Sequence, residues 1–536
     1  MDVSRRRILG GAAAVGVTAA GLTAQAAPAA AAGRRSGRAA PAGAVVRPDD
    51  PRYAELVTRG YNRRFTASPE FVQMVYSAAQ IEEALTSAVR AKKRVTVRSG
   101  GHCFEGLVDD PRFQVLLDIS QMKEIAYDPK LNAFSVEAGA TVYEMYRALY
   151  LGWGVTVPGG VCPDVGVGGH VMGGGYGPLS RQYGLTVDHL YGVEIVVVGK
   201  DGRARTLVAT REANDPHREL WWAHTGGGGG NFGIVTKYFF RSPGATGNDP
   251  TKLLPRPPAK LLCSWVNWSW EGMTEANFTR LVKNHAAWHQ ANSGADSVYA
   301  GLHSSLHLNR KAAQSIFLEI RLDATLPNAR KLLDDYIAAV SEGVSVPAVP
   351  STWEGLWLEN SVDLGWVDPT GSDRGRNKGA HMRKPFNDAQ IKTIYQAVTD
   401  PGNQGQGKVY IAAYGCAINT VRPDATAVAQ RDSLFKIALG AAWADPKEDA
   451  QHVGWLQRLF RDLYAETGGM PVSNASQDGG YINYPDPDFK DPAWNTSGVP
   501  WSTLYYKGNY PRLQRVKAAY DPRNFFEHQL SIEPPA

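Results

Sequence analysis

The chain has 536 residues, too many for one ordinary hydrophobic core, so two domains are expected. Hydrophobic residues make up 43%, charged residues 20%, and the formal charge is +5. That is a globular composition, and its scattered basic residues exclude the basic stripe that nucleic-acid binding needs.

Residues 1–32 read as a targeting signal. Ser4-Arg5-Arg6-Arg7-Ile8-Leu9 resembles the twin-arginine export motif, and a mild apolar run follows from Gly10 to Ala24. The run is too short and too rich in Gly and Ala to span a membrane, so the expectation is a secreted protein with no membrane partner. Residues 33–47 are rich in Ala, Pro, Gly and Arg and read as a disordered linker.

Residues 48–248 alternate helical and strand patterns. Ile81–Val89 has helical spacing, and Arg94–Arg98 reads as the strand after it. Val115–Asp118 and Ala133–Gly139 read as further strands, and Val142–Tyr150 as a helix. Val193–Val198 is a strand with Asp201-Gly202 as its hairpin turn. Glycine-bearing loops join these elements, which fits a nucleotide-binding domain.

A proline-rich break, Pro250–Pro258, opens a second domain over residues 249–475. Ala276–Gln290 and Asn328–Glu342 are amphipathic, and Ile316–Leu322 between them reads as a strand. Lys408–Tyr414 is another strand, whose alternation puts Tyr410, Ala412 and Tyr414 on one face. The expectation is a long antiparallel sheet backed by helices. Residues 476–536 carry a dense motif and read as returning to the first domain.

Three glycine runs carry the chemistry. Arg98-Ser99-Gly100-Gly101-His102-Cys103 follows a strand and offers consecutive backbone N–H groups for a phosphate. Gly166–Gly177 holds seven glycines in twelve positions, a density that predicts neither helix nor strand. Thr225–Gly233 repeats the theme. His102 and Cys162 sit in two of these loops, 60 residues apart and without metal-ligand spacing, so no metal site is expected. Four cysteines, Cys103, Cys162, Cys263 and Cys416, do not make a disulfide framework. Cys263 and Cys416 read as small buried hydrophobes.

These motifs resemble the berberine-bridge-type, FAD-linked oxidases of the vanillyl-alcohol-oxidase fold. The matching segments are Arg98–His102, Cys162–His170, Leu220-Trp221-Trp222 with Gly226–Val235, and Tyr505–Ile532. The resemblance implies an α+β, two-domain FAD-binding fold with a substrate domain of antiparallel sheet backed by helices. It implies a bicovalent FAD, with His102 on the flavin 8-methyl position and Cys162 on C6. Cofactor contacts would also come from Arg98, Ser99, Gly100, Gly101, Cys103, Val165, Gly168 and Gly169. Gly173, Gly174, Gly233, Ile234, Val235, Asn483 and Tyr484 complete that set. Val165, three residues after the cysteine, takes the position at which a small residue goes with reaction of the flavin with oxygen.

Removing a hydride from an alcohol needs a base for the hydroxyl proton. Berberine-bridge enzymes use a glutamate, but the comparable stretch, Phe435–Ala441, has no carboxylate, and Lys436 is expected to point away. Sugar-oxidising relatives use a tyrosine in a motif like Gly480-Tyr481-Ile482-Asn483-Tyr484-Pro485-Asp486, which implies Tyr481 as base. Tyr176 and Tyr410 would assist, with Tyr414 competing for the place of Tyr410. His170, His224 and His528 read as structural. The implied activity is oxidation of a secondary alcohol or hemiacetal of a sugar, on a glycosylated polyketide or an oligosaccharide, with oxygen giving hydrogen peroxide. A non-sugar alcohol, or drug binding without turnover, are the alternatives.

Overall fold

The structure, a computed structural model, describes residues 43–312, 315–363, 374–402 and 406–535. The twin-arginine segment and residues 33–42 of the expected linker lie outside them. The linker's last residues are not disordered. Val45–Val46 form a strand antiparallel to Phe71–Met74, and Val46 is buried under it. Edge pairing and one buried valine override the local composition.

Two small sheets are drawn from residues 45–240. The first has four strands in the order Val45–Val46, Phe71–Met74, Val115–Asp118, Val95–Arg98. The second has five: Ile125–Asp128, Ala133–Glu137, Ile234–Phe240, Leu190–Val198, Ala204–Thr210. Leu190–Val198 is almost wholly buried, which is why it reads as a continuous apolar run. Helix Val142–Trp153 starts where Thr141 and Glu144 form a reciprocal capping box and stops at Gly154, φ +70°.

The third sheet has seven strands, all antiparallel. Their order is Val349–Leu356, Lys260–Trp268, Ile316–Asp323, Leu302–Asn309, Gln406–Ala413, Phe435–Trp443, Arg374–Met382. One face is apolar, with Val266, Leu306, Leu318 and Ile437 fully buried. Helices Glu275–Ala291, Ala329–Ser341, Asp388–Thr399 and Asp449–Leu463 back the sheet on that side. The opposite face carries Tyr410, Lys436, His307 and Trp265, because residues paired across antiparallel strands point the same way. That face confronts the glycine loops.

The segment after Gly480 packs against the Gly227–Asn231 loop. Tyr506 Oη donates to Gly227 O at 2.9 Å, and Ile532 N donates to Asn231 Oδ1 at 2.8 Å. The dense glycine run holds one unexpected element, a short helix Val167–Met172. Gly168 sits inside it because space decides: a Cβ there would meet Ala138 O at 2.8 Å and Ser99 Oγ at 3.0 Å.

Candidate active site

The His102 and Cys162 loops touch through bare backbone. A Cβ on Gly100 would lie 2.3 Å from Gly166 N, so no other residue fits there. Gly101, at φ +77°, turns the chain so that His102 follows. The His102 ring stacks on Tyr61 with centroids 4.3 Å apart. Burial pushes its pKa down to about 4, with Asp164 opposing, so the imidazole is neutral at pH 7 and keeps a lone pair. Burial pushes the Cys162 thiol up to about 11. Neither side chain makes a hydrogen bond to another described residue, although both are half-buried. Gly169 faces open space, with nothing within 4 Å of where a Cβ would stand. Two unpartnered nucleophiles beside an open, glycine-lined floor fit a large flat cofactor carrying phosphates.

The other residues expected at the cofactor divide. Ser99 Oγ donates to Ala138 O at 2.6 Å and fixes its loop. Val165 lies beside Cys162, its N–H donating to Cys162 O at 3.4 Å. A Cβ on Gly173 would strike Asn483 Oδ1 at 2.0 Å, and one on Gly174 would meet Val428 at 2.8 Å, so this loop lies against the tyrosine motif. Arg98 is a correction: its guanidinium is buried on Asp118 and Asp109 and on Leu56 O, and its role is to hold the strand end. Cys103 is half-buried, and burial pushes its thiol up to about 11. Gly233, Ile234 and Val235 are core positions against Ile195 and Val196.

The tyrosines come together. Tyr410 and Tyr484 have their hydroxyls 2.9 Å apart. Tyr481 Oη accepts from Asn483 Nδ2 at 3.1 Å, and Asn483 Nδ2 also donates to His170 O at 2.9 Å. Tyr176 donates to Ala413 O and stacks on Tyr414 at 5.6 Å. Tyr414 itself donates to Gln430 O at 3.1 Å and is fully buried, so Tyr410 rather than Tyr414 faces the other hydroxyls. Phe104, two residues after His102, packs on Tyr484 at 5.2 Å and links tether to tyrosines. Gly379 makes room: a Cβ there would lie 2.7 Å from the Tyr484 ring. Burial raises the phenols of Tyr176, Tyr410, Tyr481 and Tyr484 above their ordinary value.

Lys436 overturns its expected direction. It is buried at the centre of this cluster, and its Nζ donates to Tyr410 Oη at 3.1 Å. The amine lies 4.1 Å from the ring centroid of Tyr484, 5.0 Å from Tyr481, 5.1 Å from Tyr176 and 5.5 Å from Tyr410. Burial pushes its pKa down to about 7, against a smaller opposing effect of Cys162. An amine held down by burial and hydrogen-bonded to one of the phenols that surround it can exchange a proton with them. His170, His224 and His528 are structural: each bonds backbone, at Gly160 N, Leu220 O and Gly229 O.

A glycine-floored cofactor cradle facing a tyrosine-lined antiparallel sheet defines a two-domain flavin oxidoreductase of the vanillyl-alcohol-oxidase type. Residues 69–207 match the FAD binding domain family, and residues 480–533 match the berberine and berberine-like family. The aclacinomycin-N/aclacinomycin-A oxidase of Streptomyces galilaeus is 52% identical over 548 residues, covering 100% of this chain and 99% of that one. Hexose oxidase of Chondrus crispus is 30% identical, covering 90% and 93%. The solved structure of a glycopeptide hexose oxidase complexed with teicoplanin superposes with a TM-score of 0.90 at 52% identity, covering 93% of this chain and 100% of that one. The chain belongs to the berberine-bridge-like family of FAD-linked oxidases.

Proposed function

We propose that this chain is an exported oxidase that holds FAD through His102 and Cys162 and oxidises a sugar hydroxyl or hemiacetal on a glycosylated natural product. The names of the relatives, an aclacinomycin oxidase and two hexose oxidases, support that substrate class. Bound FAD supplies the hydride acceptor, and its two electrons pass to oxygen to give hydrogen peroxide. The neutral His102 imidazole and the Cys162 thiol are the groups that would tether it.

The chain's own residues handle the proton. Tyr484 faces the cradle through Phe104 and hands its proton to Tyr410 across the 2.9 Å contact as it receives one from the substrate hydroxyl. Tyr410 passes a proton to Lys436 Nζ, 3.1 Å away, which is half uncharged near pH 7. The relay ends with an ammonium and two phenols. No buried phenolate has to persist, which suits phenols that burial makes weak acids. This favours Tyr484 over Tyr481 as the residue that meets the substrate. Asn483 holds Tyr481 as a wall of the site.

The observation that carries this reading is Lys436 in the middle of the tyrosines. Anaerobic stopped-flow reduction tests it, with aclacinomycin A, teicoplanin and simple glycosides as substrates. Tyr484→Phe is expected to slow reduction by about 10²–10⁴, and Tyr481→Phe by far less. Equal losses in the two variants, or none, would overturn the relay.

A further inference from the structure

We propose that Trp265 and Trp353 form an outer subsite for a flat, apolar ring system of the substrate. This rests on the glycoside-oxidase reading and names the part of the molecule that is not oxidised.

Trp265 shares the catalytic face of the sheet. Across the register, Lys436 pairs with Ala412, Ala412 with Ser305, Ser305 with Glu319 and Glu319 with Trp265. That row is four strand spacings, about 19 Å at about 4.8 Å each. The adjoining row is aromatic: His307 stacks on Tyr410 with centroids 5.4 Å apart and on Phe317 at 4.2 Å. Trp353 lies two residues past the partner of Trp265, on the same face, and the two indoles meet edge to face at 5.5 Å. Trp265 is 53% exposed, Trp353 38% and Val349 beside them 62%. An exposed aromatic patch on the sheet face that also carries the reaction centre is a binding feature.

The polar groups around the patch decide what it takes. The Trp353 indole N–H is spent on Asn360 Oδ1, and Asn360 Nδ2 on Leu356 O. On the face the two indoles share, Glu319 is tied to Arg321 at 2.8 Å, and Asn267 Oδ1 accepts from Ser315 Oγ at 2.9 Å. The two exposed indole faces suit a fused aromatic ring. The distance from Lys436 is too great for a monosaccharide to reach both places. The sugar then lies at Tyr484 and the fused-ring aglycone at Trp265.

The test uses the FAD-loaded enzyme and two substrates with one sugar: a glycoside of a fused tricyclic aromatic aglycone, and the methyl glycoside. Trp265→Ala and Trp353→Ala are each expected to raise KM for the aromatic glycoside about tenfold with kcat unchanged, and to leave the methyl glycoside unaffected. Equal effects on both substrates, or none on either, overturn the subsite. Binding of the free aglycone, read by tryptophan fluorescence quenching in the parent and in Trp265→Ala, separates the two readings. If no glycoside reduces the flavin but the aglycone binds and the variant loses it, the oxidation reading fails and the subsite stands. If sugars are oxidised and the aglycone does not bind, the subsite alone fails. A dimer in sedimentation velocity that Trp265→Ala dissociates would assign the patch to a second copy and overturn the proposal.

Discussion

Replacing Lys436 by methionine should make the protein more stable and a worse catalyst. Lys436 is fully enclosed, and burial takes its pKa from 10.5 to about 7. At about 1.4 kcal/mol for each tenfold, that displacement corresponds to about 5 kcal/mol of penalty for carrying the charge in the fold. The sign follows from proton counts. The unfolded chain holds this proton up to about pH 10.5, the folded chain only to about pH 7. The penalty is therefore full below pH 7, shrinks between pH 7 and pH 10.5, and is gone above. A body of this size gains roughly 1 °C in Tm per kcal/mol, so Lys436→Met should melt about 5 °C higher at pH 6, and the gain should fade towards pH 10. The same variant loses the acceptor at the end of the relay. Flavin reduction should fall by about 10²–10³, and the parent's rise in rate through about pH 7 should disappear. Differential scanning fluorimetry across pH and anaerobic stopped-flow reduction read the two halves. A destabilised variant, or a stability gain independent of pH, would mean that Lys436 is a paired cation and not a buried base.

The two tethers should be separable. His102→Ala and Cys162→Ala should each retain FAD in the acid-precipitated pellet, and only the double variant should release it to the supernatant. Release from either single variant would mean one covalent bond in the parent, not two. At Val165, beside Cys162, a leucine should slow reoxidation of the reduced enzyme by oxygen about tenfold, a barrier increase of about 1.4 kcal/mol, and leave the rate of reduction by sugar unchanged. Parallel changes in both half-reactions would place Val165 in general packing.

What the sequence made legible is what depends on neighbours in the chain. Gly100 and Gly166 stand out because bare backbone is needed where two loops collide, and the collision is there. Helix Val142–Trp153 carries its own cap, and Ile316–Asp323 its own alternation. The direction of Lys436 is not legible because one strand read alone, Phe435–Trp443, does not say which face meets the cradle. Only pairing with Ala412 and His381, small and aromatic neighbours on the tyrosine side, fixes the direction. The segment Arg374–Met382 carries no strand alternation in its sequence for a related reason: its charges find partners far along the chain. Arg376 bonds Glu105 Oε2 and Asp486 Oδ1, each at 2.7 Å, and Lys378 bonds Asp486 Oδ2 at 2.6 Å. Glu105 lies three residues after His102, and Asp486 two after Tyr484. A polar strand thus joins the tether loop to the proton-relay loop through buried ion pairs, which cost much to break singly. The site is distributed over five segments of sequence, yet it is held in one frame by the segment whose composition least suggests a strand.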